Sequence, residues 1–147
     1  NVTCGGQSVG LEANGVTFVI GGKSTVNCAG TANTAFCVAN GYNSVSITAP
    51  SSGNTEDLAV IGPTPTTNTA GATFAGGAAA TVSGAFYFPN GVVSLSGAGK
   101  LQNAQGSTGQ CLTLIGSAID VTQGGSSGTT CTGIAGVNTG VNVALVQ

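Results

Sequence analysis

Four carboxylates, Glu12, Glu56, Asp57 and Asp120, are the main acid–base groups of a 147-residue chain that has no histidine. A glycoside hydrolase needs two carboxylates placed across a sugar. Glu56 and Asp57 are adjacent, so on a strand they point to opposite faces. Asp120 sits in AIDVTQ between Ile119 and Val121, a pattern that turns it away from its apolar neighbours. Pairs of Asp120 with Glu12 or Glu56 are the remaining arrangements, weighed against three or four solvated acids. Without histidine, Ser-His-Asp and Cys-His nucleophile systems are excluded. The stretch GGKST at 21–25 ends like a phosphate-binding loop, but the spacing requires glycine at position 17, where threonine stands. Polysaccharide lyase chemistry asks for calcium-binding acid clusters and a cation near the substrate carboxylate; here there are only Lys23 and Lys100. The expectation is a protein that is not an enzyme and has no catalytic residues, no cofactor and no metal site.

Aromatic residues offer a different chemistry. Phe86-Tyr87-Phe88 alternate, so on a strand the two phenylalanines share one face and Tyr87 takes the other. The phenylalanines read as interior. Tyr42 and Tyr87, with Asn90, are the candidate surface-binding residues, able to stack on sugars. Five cysteines, Cys4, Cys28, Cys37, Cys111 and Cys131, form no CxxC pair. Cys28–Cys37 and Cys111–Cys131 each bracket a polar excursion and read as local disulfides, which favours an exported protein. Cys4 is left unpaired. Its partner is a cysteine of an upstream segment or of another chain, or it is a free buried thiol.

Composition bounds the partners. Two lysines against four acids give a formal charge of -2, which excludes a duplex-binding surface, since that requires several cations to neutralise phosphates. No stretch approaches 18 consecutive apolar residues, so the sequence supplies no membrane-spanning helix. The 26 glycines are too irregular for collagen. A chain that is 41% hydrophobic and 4% charged does not have the composition of a disordered one. The first residue is Asn1, and the sequence reads as a mature or excised region.

The elements that must position these residues are short strands. Glycine, threonine, serine and asparagine interrupt every 3.6-residue pattern. What recurs is a strand and a turn: GVTFVIGG at 15–22, NSVSITAPSSG at 43–53, LAVIGP at 58–63, then AATVSG, AFYFPNG and VVSLSG across 79–97, CLTLIG and AIDVTQGG across 111–125, and GVNVALVQ at the end. Asn90-Gly91 could close a hairpin or turn a corner. Repetition favours corners, and hence a short parallel β-helix, or β-solenoid, with irregular polar insertions; an antiparallel β-sandwich is the alternative. Residues 1–147 read as a single β-rich domain, with 62–78 as a loose, mobile extension.

The ordered set ANGVTFVIGG, NSVSITAPSSG, SGAFYFPNGVVSLSG, CLTLIGSAIDVTQG and a terminal VALVQ resembles the extracellular C-terminal region of TadG-like proteins of the bacterial tight-adherence (Flp/Tad) pilus system. The matching positions are Gly15 to Phe18, Thr48 to Pro50, Gly84, Tyr87, Pro89, Ser96 and Gly97, then Cys111, Leu114 and Ile115. The segment NTEDLAVIG and the Cys28–Cys37 insertion depart from that pattern. The resemblance implies the C-terminal part of a longer, membrane-anchored or exported protein at the bacterial cell surface. It implies a structural or adhesive role beside pilus or cell-envelope proteins, with host or surface glycans as further partners. Self-association through solenoid ends or Cys4 suits that role. The competing expectation is a carbohydrate-binding or polysaccharide-processing β-solenoid.

Overall fold

A computed structural model describes residues 10–23, 27–104 and 110–129. The described residues are all-β, with no helix. In chain order the strands are β1 (Leu11–Asn14), β2 (Phe18–Val19), β3 (Thr34–Val38), β4 (Val45–Thr48), β5 (Leu58–Ile61) and β6 (Gly71–Phe74). They continue with β7 (Ala79–Ser83), β8 (Ala85–Leu95), β9 (Lys100–Gln102), β10 (Thr113–Val121) and β11 (Ser126–Gly128).

Every ladder between these strands is parallel. One sheet runs β1-β4-β7-β9-β11. The other holds β2, β5, β8, β6, β3 and β10. In the second sheet β8 serves two rows. Its first half pairs with β5 and its second half with β6, while β10 lies along the opposite edge of both halves. An antiparallel sandwich is therefore not the arrangement. Asn90-Gly91 closes no hairpin, because Val93–Leu95 pairs with β6 instead of folding back on Phe86–Phe88.

The register stacks like on like. In the first sheet Leu11, Val45, Ala80, Leu101 and Ser127 form one row, with successive members 34, 35, 21 and 26 positions apart. The longer early steps contain the polar excursions, parts of which, β3 and β6, pair into the second sheet. In the second sheet the inward rows are Phe18, Val60, Phe86, Leu114 and then Val38, Phe74, Leu95, Val121. Val60, Phe74, Phe86, Phe88, Val82 and Leu101 are wholly buried. Phe86 is the hub of an aromatic core: its ring lies 5.0 Å from Phe88, 5.3 Å from Phe36 and 5.7 Å from Phe74. Rings this size in such contact dominate the burial energy of a small core. Space is made for them elsewhere: a Cβ at Gly62 would collide with the Phe88 ring.

The stretch AFYFPNGVVSL forms one strand, where the sequence suggested two pieces and a turn. Its inside positions switch from even (Phe86, Phe88) to odd (Gly91, Val93, Leu95). A strand alternates with period two, so the switch needs an irregularity, and Pro89-Asn90 supplies it. Opposite this point, β10 passes from Gly116 to Ala118 while β8 passes from Phe88 to Val92. The two surplus residues of β8 form a bulge that bends the strand without ending it. The Asn90 side-chain amide donates to the Thr64 carbonyl at 2.8 Å, which fastens the bend to the neighbouring connection.

Two further expectations change. Residues 62–78 are not simply an extension, since they contain β6, all four residues of which are buried. The Cys28–Cys37 excursion contains most of β3. Cys28 and Cys37 are disulfide-bonded, with Cα atoms 5.6 Å apart. Phe36 anchors the loop by packing between Phe74 and Phe86. Cys111 is also disulfide-bonded. The pairing expected with Cys131, and the state of Cys4, lie outside the described residues, as does GVNVALVQ.

Candidate functional site

The two sheets turn different chemistry outward. Each outward row can be read from the register, because residues paired in parallel strands share a face.

On the second sheet the row is Val19, Ile61, Tyr87 and Ile115, on β2, β5, β8 and β10. Their chain neighbours Phe18, Val60, Phe86 and Leu114 point inward. Val19 is 71% exposed and Ile115 is 40% exposed, while Ile61 and Tyr87 between them are half-buried. Strands lie about 4.8 Å apart, so four rungs span roughly 15 Å. Backbone bonds hold the rungs: Gly62 donates to the Tyr87 carbonyl at 2.7 Å, and Ile20 donates to the Ile61 carbonyl at 2.9 Å. The Thr17 hydroxyl donates to the Leu58 carbonyl at 2.8 Å and fastens the entry to the row. The result is a narrow apolar stripe; Val92, farther along β8 beyond the bend, is also exposed.

On the first sheet the outward row is Glu12, Ser46, Thr81 and Gln102. A second short row runs from exposed Asn14 through half-buried Thr48 to buried Ser83. The Asn14 amide donates to the Glu12 carboxylate at 3.3 Å. Against this face lies an open groove of about 460 Å³, lined by Glu12, Asn43, Ser44, Ser46 and Thr81 together with Gly10, Leu11 and Val45. Its lining is mixed: apolar surface beside the hydroxyls of Ser44, Ser46 and Thr81, the Asn43 amide and the Glu12 carboxylate.

The acids do not converge. Glu12 is on β1 of the first sheet, and Asp120 is on β10 of the second, stacked on Ser94. Glu56 and Asp57 lie in the connection before β5, where the Asp57 backbone is used structurally. Its amide donates to the Pro50 carbonyl and its carbonyl accepts from Ala85 at 2.6 Å. Among the described residues no group of three or more His, Cys, Asp or Glu side chains is placed to hold a metal ion.

The sequence candidates separate. Tyr87 lies in the apolar stripe. Tyr42 is half-buried and packs against the core. Its carbonyl accepts from Ala79 at the start of β7 in the first sheet, so it shares no row with Tyr87. Asn90 spends its amide on Thr64. The stacking platform of Tyr42, Tyr87 and Asn90 is thus not assembled as one row. The residues that the sequence reading missed are Val19, Ile61 and Ile115. Their signal was present as a doubled apolar pair at the same place in each unit: Phe18-Val19, Val60-Ile61, Phe86-Tyr87 and Leu114-Ile115. Strict alternation would have put a polar residue second.

Gln110 was also missed. Its side-chain amide donates to both the Ala49 and Pro50 carbonyls at 2.9 Å. It ties the approach to β10 onto the Thr48-Ala49-Pro50 turn. Asn103 works beside it, accepting from the Leu112 amide at 2.7 Å and donating to the Ala104 carbonyl. Both read as fasteners of the turn and not as ligand-binding groups. Among the described residues no buried side-chain polar atom lacks a partner.

No family model matches the chain, and no curated protein or solved structure gives a match either.

Proposed function

We propose that the chain is a parallel β-solenoid, stapled by disulfides, that serves as a non-enzymatic structural or adhesive domain at the bacterial cell surface. The solenoid reading rests on three stacked rows of parallel strands visited in the same order on each pass: β1-β2-β3, β4-β5-β6, then β7 and the two halves of β8. The adhesive reading rests on one observation above all, the outward stripe Val19, Ile61, Tyr87 and Ile115. A monomeric surface rarely repeats apolar residues in register without something to cover them. An aromatic at the centre of such a stripe is the type of residue that dominates protein contacts. A pilus or cell-envelope protein is the partner class that suits it. The tight-adherence resemblance of GVTF, TAP and GAFYFPNGVVSLSG points the same way and supplies the setting, that of a domain of a TadG-like protein.

The test is made in cells. The gene segment is deleted in its native setting, and surface attachment and filaments are compared with the unaltered strain. The reading expects reduced attachment or loss of filament association. A Tyr87→Asp substitution should reproduce the loss with the domain still exported and folded. Unchanged attachment and unchanged filaments in the deletion strain would reject the role.

The groove beside Glu12, Ser46 and Thr81 favours a second reading, as a carbohydrate-binding solenoid. The hydroxyls and the amide in its mixed lining suit sugar hydroxyls, though no aromatic side chain lines it. Binding to a glycan panel that is lost in Ser46→Val and Thr81→Val, and kept in Tyr87→Asp, would favour this reading over the first.

A further inference from the structure

Three asparagines are followed by glycine: Asn14-Gly15, Asn40-Gly41 and Asn90-Gly91. In such a pair the glycine nitrogen can reach the asparagine side-chain carbonyl carbon, and no Cβ on the glycine stands in the way. Attack requires a side chain free to turn and a nitrogen with no hydrogen bond to break. The fold treats the three pairs differently. At Asn40-Gly41 the glycine amide donates to the Gly76 carbonyl at 3.0 Å. The Asn40 side chain lies against Gly76, where a Cβ would collide with its carboxamide. At Asn90-Gly91 the carboxamide is held by its 2.8 Å bond to the Thr64 carbonyl. Gly91 is buried, and a Cβ there would strike the Ala70 carbonyl.

Asn14-Gly15 is neither held nor covered. Both residues are exposed. Asn14 ends β1, the outermost strand in the order of the first sheet. Leu11 donates to the Ser44 carbonyl, so regular parallel spacing would give the Thr48 carbonyl to Gly15. Val16 takes that carbonyl instead, at 3.1 Å. The Gly15 amide is left with no partner among the described residues. Gly15 has φ of 66°, and nothing lies within 4 Å of a Cβ built on it. Glycine accepts either sign of φ, so the peptide between the two residues can turn without breaking a bond of the Gly15 amide. Among the described residues the Asn14 carboxamide has one tether, a 3.3 Å bond to the exposed Glu12 side chain.

We propose that Asn14 is a site of spontaneous modification, at which the Gly15 nitrogen displaces the side-chain amide and water completes the reaction. The Gly15 nitrogen gives its proton to solvent base and bonds to Asn14 Cγ. The Cγ–Nδ2 bond breaks, and Nδ2 leaves as ammonia with a proton from water. The product is a cyclic imide. Water then adds to one of its two carbonyls and opens the ring. Opening at Cγ leaves aspartate. Opening at the main-chain carbonyl leaves isoaspartate, in which the chain runs through the side-chain carbons. The sum is asparagine and water giving aspartate or isoaspartate and ammonia, and it needs no other reactant. The position of Asn14 sets the consequence. Either product puts a second carboxylate beside Glu12, where the amide now donates. Isoaspartate also adds one backbone carbon just before Val16 and Thr17. Those two residues fasten the entry to β2 through the Thr48 and Leu58 carbonyls. Isoaspartate at this corner slackens β2 and with it Val19, the first rung of the apolar stripe. The inference is independent of what either face binds.

The experiment uses the unaltered full chain. It is incubated, folded, in water labelled with heavy oxygen at mildly alkaline pH, and its proteolytic peptides are weighed and fragmented. Asn14 should lose ammonia and take up one labelled oxygen at least about tenfold faster than Asn40 and Asn90, because those two must first open locally. In the urea-unfolded chain the three rates should draw together. Equal rates in the folded chain, or a lead by Asn40 or Asn90, would overturn the proposal. Rates that stay apart in urea would overturn it too, by assigning the preference to local sequence and not to the fold. The isoaspartyl chain should exchange its Val16 and Ile20 amides at least about tenfold faster than the unaltered chain, as a loosened segment does. An Asn14→Asp variant, which has the charge without the added backbone carbon, should stay close to the unaltered chain. Unchanged exchange at Val16 and Ile20 in the isoaspartyl chain would overturn the effect on the stripe.

Discussion

The two outer faces differ although both are built from short parallel strands in register. The face over β1, β4, β7 and β9 shows Glu12, Ser46, Thr81 and Gln102. The face over β2, β5, β8 and β10 shows Val19, Ile61, Tyr87 and Ile115. The first obeys the rule for a half-buried strand, apolar inside and polar outside. The second breaks that rule at the same place on every pass. Stacking explains why the departure matters. One exposed valine on an isolated strand means little. Exposed Val19 and Ile115 with half-buried Ile61 and Tyr87 between them, their spacing fixed by backbone bonds, make a continuous surface.

The faces also cover different interiors. Under the apolar stripe lie Phe86, Phe74, Phe36 and Phe88 in mutual contact. Under the polar face lie Ile47, Val82, Ala80 and Leu101. Aromatic rings lie below the stripe, and aliphatic residues fill the other side. This contrast gives the largest predicted effect. Phe86→Ala should cost about 3–5 kcal/mol, whereas Ile47→Val should cost about 0.5–1.5 kcal/mol. Urea denaturation of both variants checks the pair. Similar losses would mean that the aromatic cluster does not set the stability of its sheet.

The next effect separates the sides by their staples. Replacing Cys28 and Cys37 with serine releases a loop that spans a sequence separation of nine. Chain-entropy arguments put the loss at about 2–3 kcal/mol. The change should show first as faster amide exchange in β3 and β6, beside the stripe, and not in β1 and β4. Equal acceleration in both sheets would show that the loop braces the whole molecule and not one side.

Third is the test of the faces themselves. Tyr87→Asp should weaken attachment to the partner surface by about 2 kcal/mol, some 30-fold in affinity. Thr81→Asp should leave attachment unchanged. The opposite pattern transfers the binding role to the polar groove. The smallest effect is on folding: Thr81→Val and Ser46→Val, at half-buried positions of the outward row, should each move stability by no more than about 0.5 kcal/mol, as substitutions outside the core do. A larger shift in the melting temperature would mean that the polar row makes contacts beyond its own face.

Parts of this arrangement were legible in the residues. The absence of histidine and the scattered acids bounded the chemistry. Phe86 and Phe88 read as interior from alternation alone, and both are wholly buried. The Cys28–Cys37 bond followed from spacing and composition, and the structure contains it. Asn90-Gly91 was read as a corner, and Asn90 fastens the bend in β8 through its amide. The short strands β9 and β11 were not foreseen. KLQ and SSG have almost no strand signature of their own and are held by the rows they join.

What the sequence determined by itself was local: which residues alternate, where turns fall, which catalytic systems are impossible, and which cysteines lie near enough to bond. Only the tertiary structure decided which strands are neighbours, and with that the two faces. Val19, Ile61, Tyr87 and Ile115 are separated by 42, 26 and 28 positions along the chain, and no local pattern brings them together. Parallel pairing does, because it sets each strand on one from an earlier pass with the same side chains turned outward. The physical reason is that hydrogen-bond register is a property of two strands, whereas alternation is a property of one.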